Sequence, residues 1–186
     1  MRIIHLLVLF ACLVSSSTAR TSGQTQEVTS KNDAQDAPDP SSIVNEIIKS
    51  TLQRGEGTTP QGYRFSTWIP PTQEDLFRIK ALGEQAVAPL SKYLDSPRPF
   101  AQLLAVRLLG EVGGAAAVEP LKRGLDASRW SVVRAQSLSS LASTPDSMAL
   151  PIIQDMRKDS DPLVRKRAED LLTLRYGQIL ANSAKP

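Results

Sequence analysis

AVAPLSKYL (Ala86–Leu94), AVEPLKRGL (Ala117–Leu125) and MALPIIQDM (Met148–Met156) share one layout, and their prolines, Pro89, Pro120 and Pro151, recur at a spacing of 31 residues. Self-similarity at a fixed period in this range marks a chain of stacked units, each one supersecondary element. Complementary stretches lie between them: FAQLLAVRLLGEV from Phe100, SVVRAQSLSSLAS from Ser131 and PLVRKRAEDLLTL from Pro162. In the last two, Val133-Arg134 and Val164-Arg165 keep the same spacing. Each pair is followed by a small residue, Ser137 or Ala168, and then by Leu141 or Leu172. After a one-residue shift, Ala101, Ala105 and Leu109 take those places in the first stretch. A small residue at the middle position lets neighbouring helices approach closely.

Candidate caps agree with this division. Ser96-Pro97, Thr144-Pro145 and Asp161-Pro162 each set a capping side chain before a proline suited to the first helical position, and Thr72 with Asp75 resembles a capping box. The pattern predicts first helices near 72–82, 97–112, 129–142 and 161–176, and second helices near 85–94, 116–125 and 146–157. The recurrent prolines fall early in the second helices, as first-turn residues or as kinks. No convincing strand follows Thr72.

A two-helix unit of this length is shared by several repeat classes, and the residues decide between them. DSDPLVRKRAEDLL (159–172) and LGEQAVAPLSKYL (82–94) resemble the two halves of a HEAT repeat, including the short HEAT-like form of phycobilin lyases. The likeness covers about residues 72–176. It implies an all-α fold, a short right-handed α-α superhelix of about three and a half helical pairs. No pair buries its apolar face alone, and stacked pairs share one core. The final helix, with Arg165, Lys166, Arg167, Glu169 and Asp170, then serves as a polar C-terminal cap, followed by Tyr176-Gly177.

Upstream, Ile43, Val44, Ile47, Ile48 and Leu52 fall at helical spacing behind a cap at Ser41 or Ser42, with Gly55 and Gly57 at the end. This amphipathic helix lacks a basic face and is expected to pack on the repeats. Residues 56–71 hold Pro60, Gly62, Pro70 and Pro71 around Tyr63, Phe65 and Trp68, which predicts an extended segment whose aromatics cover the open first face of the solenoid.

The chain thus divides into a signal peptide (1–19), a disordered linker (20–40), the helix and aromatic capping segment (41–71), the repeat domain (72–178) and a tail (179–186). Residues 1–19 carry a basic start, an apolar run from Ile3 to Val14 and small residues before Ala19, the order of a secretory signal; the run is shorter than the roughly 20 residues a spanning helix needs. Residues 20–40 contain one large aliphatic side chain, Val28, and no aromatic, too little to offset ordering entropy. Export to a periplasm or the extracellular space is expected. Leu9-Phe10-Ala11-Cys12 also loosely resembles a lipobox, so a lipid anchor at Cys12 and a membrane-attached lipoprotein form the second reading.

His5 and Cys12 are the sole histidine and cysteine, and both precede the expected cleavage. The mature chain then has no imidazole or thiolate, which excludes metal sites built on them and Ser-His-Asp or Cys-His nucleophiles. No metal and no cofactor are expected. Carboxylate chemistry needs a suitable pair, and Glu169-Asp170, Glu74-Asp75 and Asp159-Asp161 are better explained by capping and solvation. The formal net charge of +3 is too small to argue for a nucleic-acid partner.

The function these features predict is non-catalytic: a protein-binding or scaffold module that works through its repeat surface. Lys92 and Tyr93, Lys122 and Arg123, and Arg157 and Lys158 recur on the second helices and form a candidate basic ladder for a partner with an acidic surface. Trp130, at a first-helix start, is a second candidate contact. Arg134 and Arg165 read as structural. Two alternatives stand beside this: a lyase-like or isomerase-like enzyme, suggested only by the phycobilin-lyase likeness, and a basic surface for polyanions.

Overall fold

The computed structural model describes residues 38–177; the expected signal peptide, nearly all of the linker and the tail beyond residue 177 lie outside the described residues. Eight α-helices follow in order: α1 Pro40–Arg54, α2 Gln73–Leu82, α3 Val87–Lys92, α4 Pro99–Val112, α5 Val118–Arg123, α6 Ser131–Leu141, α7 Asp146–Asp155 and α8 Pro162–Leu174. One two-stranded antiparallel hairpin, β1 Glu56–Thr58 and β2 Arg64–Ser66, joins α1 to α2. The fold is all-α and HEAT-like, with α2, α4, α6 and α8 as first helices and α3, α5 and α7 as second helices. First helices pack on one another in sequence, α2 on α4, α4 on α6 and α6 on α8; α5 and α7 each pack on the first helices on both sides, and α3 packs on α4 and α1.

The periodic apolar positions form one continuous core running from Val44 and Ile47 in α1, through Leu90, Leu104, Leu109, Leu121 and Leu138, to Val164 and Leu172 in α8. Close approach is bought by small residues. Ala105, Ser137 and Ala168 are fully buried at the middle positions. A Cβ added to Gly110 would lie 2.7 Å from the Ser140 Cβ, and one added to Gly124 would lie 2.2 Å from the Ser137 hydroxyl, so α4 and α5 touch α6 where a larger side chain does not fit.

The second helices are short and begin differently from the first. A 3₁₀ turn, Gly83–Ala86 or Ala115–Ala117, leads into α3 and α5, and Pro89 and Pro120 are their third residues. There the missing N–H costs nothing, because the first turn has no intrahelical acceptor for it. Pro151 is different: it stands inside α7, as its sixth residue.

Three expected caps are corrected. Helix α1 is capped by Asp39, whose carboxylate accepts from the Ser42 amide at 3.2 Å, because Pro40 already has the φ of a first helical residue. Helix α4 begins at Pro99, not after Ser96; Ser96 Oγ accepts from the Arg98 amide in the preceding loop. Thr144 belongs to the helix behind it, donating to the Leu141 carbonyl at 2.7 Å. The Thr72–Asp75 box and the Asp161 cap form as the residues predict, with Leu163 N donating to Asp161 at 2.8 Å.

The first end of the stack is covered by α1. Helix α1 packs on α2, α3 and α4, fixed by Arg78 donating twice to Glu46 and by Tyr93 Oη donating to Asn45 Oδ1 at 2.8 Å. Past the end of α8, Tyr176, expected to lead into a polar tail, is fully buried. The hairpin departs from expectation as well. Of its three aromatics, Trp68 alone packs on the repeats, against Phe100; Tyr63 and Phe65 are exposed, Phe65 lying across Gly57 of the facing strand. Three residues per strand leave too little sheet to shelter a ring on both faces.

Candidate functional site

The loops that precede α4, α6 and α8 form one edge of the stack, and arginines hold that edge rigid. Arg134, near the start of α6, donates to Asp159 through Nη2 at 2.8 Å and Nε at 3.1 Å, and to the Arg129 carbonyl at 2.6 Å. Both side chains of the pair are over nine-tenths buried. Arg165, one repeat on, donates to the Asp159 and Ser160 carbonyls, both at 2.8 Å. The expectation that these two arginines are structural is met. Gln102 takes the same place in α4 and donates to the Ser96 carbonyl at 2.7 Å, a role hidden by the one-residue shift.

Arg129, which the sequence did not single out, reaches back one repeat, to the Leu94 carbonyl and Asp95, and also donates to the Arg123 carbonyl. Burial pushes the Asp159 carboxyl up, but the Arg134 hydrogen bonds, the Asp161 amide and the charges of Arg134 and Arg165 outweigh it and hold the group below its ordinary value.

The expected ladder is only partly free. Arg123 pairs with Asp95 at 2.7 Å, Lys122 lies 3.8 Å from Glu119 and Lys158 lies 3.6 Å from Asp155. Tyr93 is half-buried and bonded to α1. Lys92 and Arg157 are exposed and have no ion pair among the described residues. A groove of about 470 Å³ between α5 and α7 sets Lys122 and Arg123 opposite Asp126 and Asp155, over Ile152 and Met156. The charge there is mixed rather than basic.

Trp130 stands apart. It is 57 % exposed at the start of α6 and borders a groove of about 390 Å³ with Leu94, Pro97, Pro99 and Ser128. Val132 in α6 and Leu163 in α8 are about half exposed. At least one member of each candidate carboxylate pair is engaged: Asp75 in its cap and with Arg54, Asp159 with Arg134, Asp161 in its cap and Asp170 with Lys166. Among the described residues no group of histidine, cysteine or acidic side chains is arranged to hold a metal ion, and no helix is long and apolar enough to cross a membrane.

Paired helices stacked on a shared core, with arginine-clamped loops along one edge, define a helical-repeat solenoid. Residues 77–142 match the family model described as HEAT repeats, which supports a HEAT-repeat family for this stretch of the stack. No curated protein and no solved structure matches the chain. HEAT repeats generally mediate protein–protein interaction or scaffolding and are typically non-catalytic.

Proposed function

We propose that this chain is an exported, non-catalytic module that binds a protein partner through the loop edge centred on Trp130. The observation that carries the reading is the exposure of that side chain beside a groove, while Trp68 is drawn in against Phe100. An indole held at a rigid edge supplies large contact area at little entropic cost, which is why tryptophan is enriched at binding hot spots. The ladder on the second helices is the weaker surface, because Arg123 and Lys158 already have acidic partners.

Export rests on residues 1–19, with cleavage after Ala19 and a soluble mature form; the lipidated form at Cys12 remains the alternative. The mass of the mature N-terminus separates them. The lyase-like and polyanion-binding readings are less well supported, because among the described residues Asp75, Asp159 and Asp161 serve in caps or ion pairs and Lys122, Arg123 and Lys158 lie beside acidic side chains. Crosslinking in the native cell, followed by mass spectrometry, tests the main reading. A partner retained by the unaltered chain and lost with Trp130→Ala supports it; equal retention by both refutes it.

A further inference from the structure

The register of the second helices runs on past α8. Ala86-Val87, Ala117-Val118 and Met148-Ala149 stand at the openings of the three second-helix segments, and Ile179-Leu180 follow the last of these pairs at the same spacing of 31 residues. The second place of each pair belongs to the core: Val118 and Ala149 are buried, and Val87 packs against the same cluster. The next place is exposed at Ala88 and Glu119 and half-buried at Leu150; Ala181 takes it here. An apolar pair and a small residue thus return at the distance the fold uses.

The backbone keeps the same register. Helix α7 begins at Asp146, and Gly177, in the corresponding place one repeat on, is helical again after the turn at Arg175 and Tyr176. Tyr176 is fully buried, so the chain is held against the stack as it leaves α8.

A groove waits at that point. Gly177 itself lines it, with Arg157 from the 3₁₀ turn after α7 and with Glu169, Leu172 and Thr173 of α8, around a volume of about 360 Å³. One repeat earlier, Leu141 and Ala142 stand in the places of Leu172 and Thr173; both are buried, and α7 packs on α6. Thr173 is exposed. The groove therefore has the place of a second helix beside α8. Arg157 and Glu169 are exposed and make a polar rim, so an occupant has to cover the floor and leave both charges in water. Three residues of helix advance about 4.5 Å, which carries the chain from Gly177 to Leu180 within the groove.

We infer that residues 178–182 form the first turn of a fourth second helix, which packs into this groove with Leu180 against Leu172 and Ile179 at its edge. The occupant of the groove is the chain's own continuation, not a partner protein. It supplies α8 with the cover that α7 gives α6, as stacked units require. This surface is separate from the edge at Trp130.

The test compares two variants of the purified chain that add the same charge one residue apart. Leu180→Glu is expected to lower the melting temperature by about 3 °C or more. Ala181→Glu should leave it within about 1 °C, because the second repeat carries Glu119 at that place. Hydrogen exchange read by NMR should be at least about tenfold slower at the Ala181 and Asn182 amides, which such a turn bonds, than in a free peptide of residues 175–186. Leu180→Glu should abolish that slowing and shift the Leu172 methyl signals; Ala181→Glu should do neither. Equal melting temperatures of the two variants, or exchange at the free-peptide rate in the unaltered chain, overturns the inference. A difference between the variants that vanishes on dilution also overturns it, because the groove is then filled by a second copy. Neither variant alters Trp130, so failure here leaves the binding reading standing, and failure of that reading leaves this one.

Discussion

Arg134 and Asp159 form a two-bonded ion pair across adjacent repeats, at 2.8 and 3.1 Å, with both side chains over nine-tenths buried. Removing one partner from such a pair strands the other charge. Arg134→Ala or Asp159→Ala is therefore expected to cost about 3–5 kcal/mol. Replacing both should cost less than the sum of the single changes, as measured by urea denaturation of the four species in a double-mutant cycle.

The same pair contributes to the loss of stability expected in acid. The carboxyls of Asp159 and Asp75 are held below their ordinary range, although burial opposes the shift at both. Arginine contacts act at each, with the Asp161 amide added at Asp159 and the Thr72 cap at Asp75. Because the folded value lies below the unfolded one, the stability they supply is complete above about pH 4 and is lost as the pH falls through the folded values. Asp159→Asn should be less stable at neutral pH and show a shallower loss of stability on acidification. A slope equal to that of the unaltered chain would remove Asp159 from this account.

Gly110→Ala is expected to destabilise by about 1–3 kcal/mol, since the new Cβ falls 2.7 Å from the Ser140 Cβ between α4 and α6. Ser140→Ala keeps the offending atom and should not rescue it. Ser140→Gly should recover part of the loss, read from the shift in denaturation midpoint.

The two tryptophans should part company in the same assay. Trp68→Ala removes a half-buried ring from Phe100 and is expected to cost about 1–2 kcal/mol. Trp130→Ala, at an exposed position, should change stability by no more than about 0.5 kcal/mol. A large loss at Trp130 would recast it as a packing residue.

Tyr176→Ala is expected to cost about 3 kcal/mol, because the side chain is fully buried beyond the last turn of α8. The change should lower the melting temperature without reducing the far-ultraviolet helical signal below the transition.

How much of this could be read from residues alone varies with the range of the interaction. Helix positions follow from local rules, and the proline period placed every repeat helix within a few residues. Caps failed where two local signals compete: Ser96 and Thr144 both precede a proline, yet Thr144 satisfies the helix it ends and Ser96 the loop it occupies. The ladder shows the other limit. Lys122, Arg123 and Lys158 recur plainly, but Asp95, the partner of Arg123, stands a repeat away, and periodicity in one residue type does not report the charge opposite it. Gln102 and Arg129 were hidden for related reasons, one by a shift of register and one because the pattern started a helix at 129, whereas α6 begins at Ser131 and leaves Arg129 in the loop. Tyr176 was hidden by its polar neighbours.

Arg129 faces the loop behind it and Arg134 the loop ahead, so the stretch around α6 carries both halves of the joint between neighbouring units. A unit that brings its own fastening in each direction can be duplicated in tandem without a matching change elsewhere. The number of units is then free to change by copying, while each joint keeps the same pair of contacts.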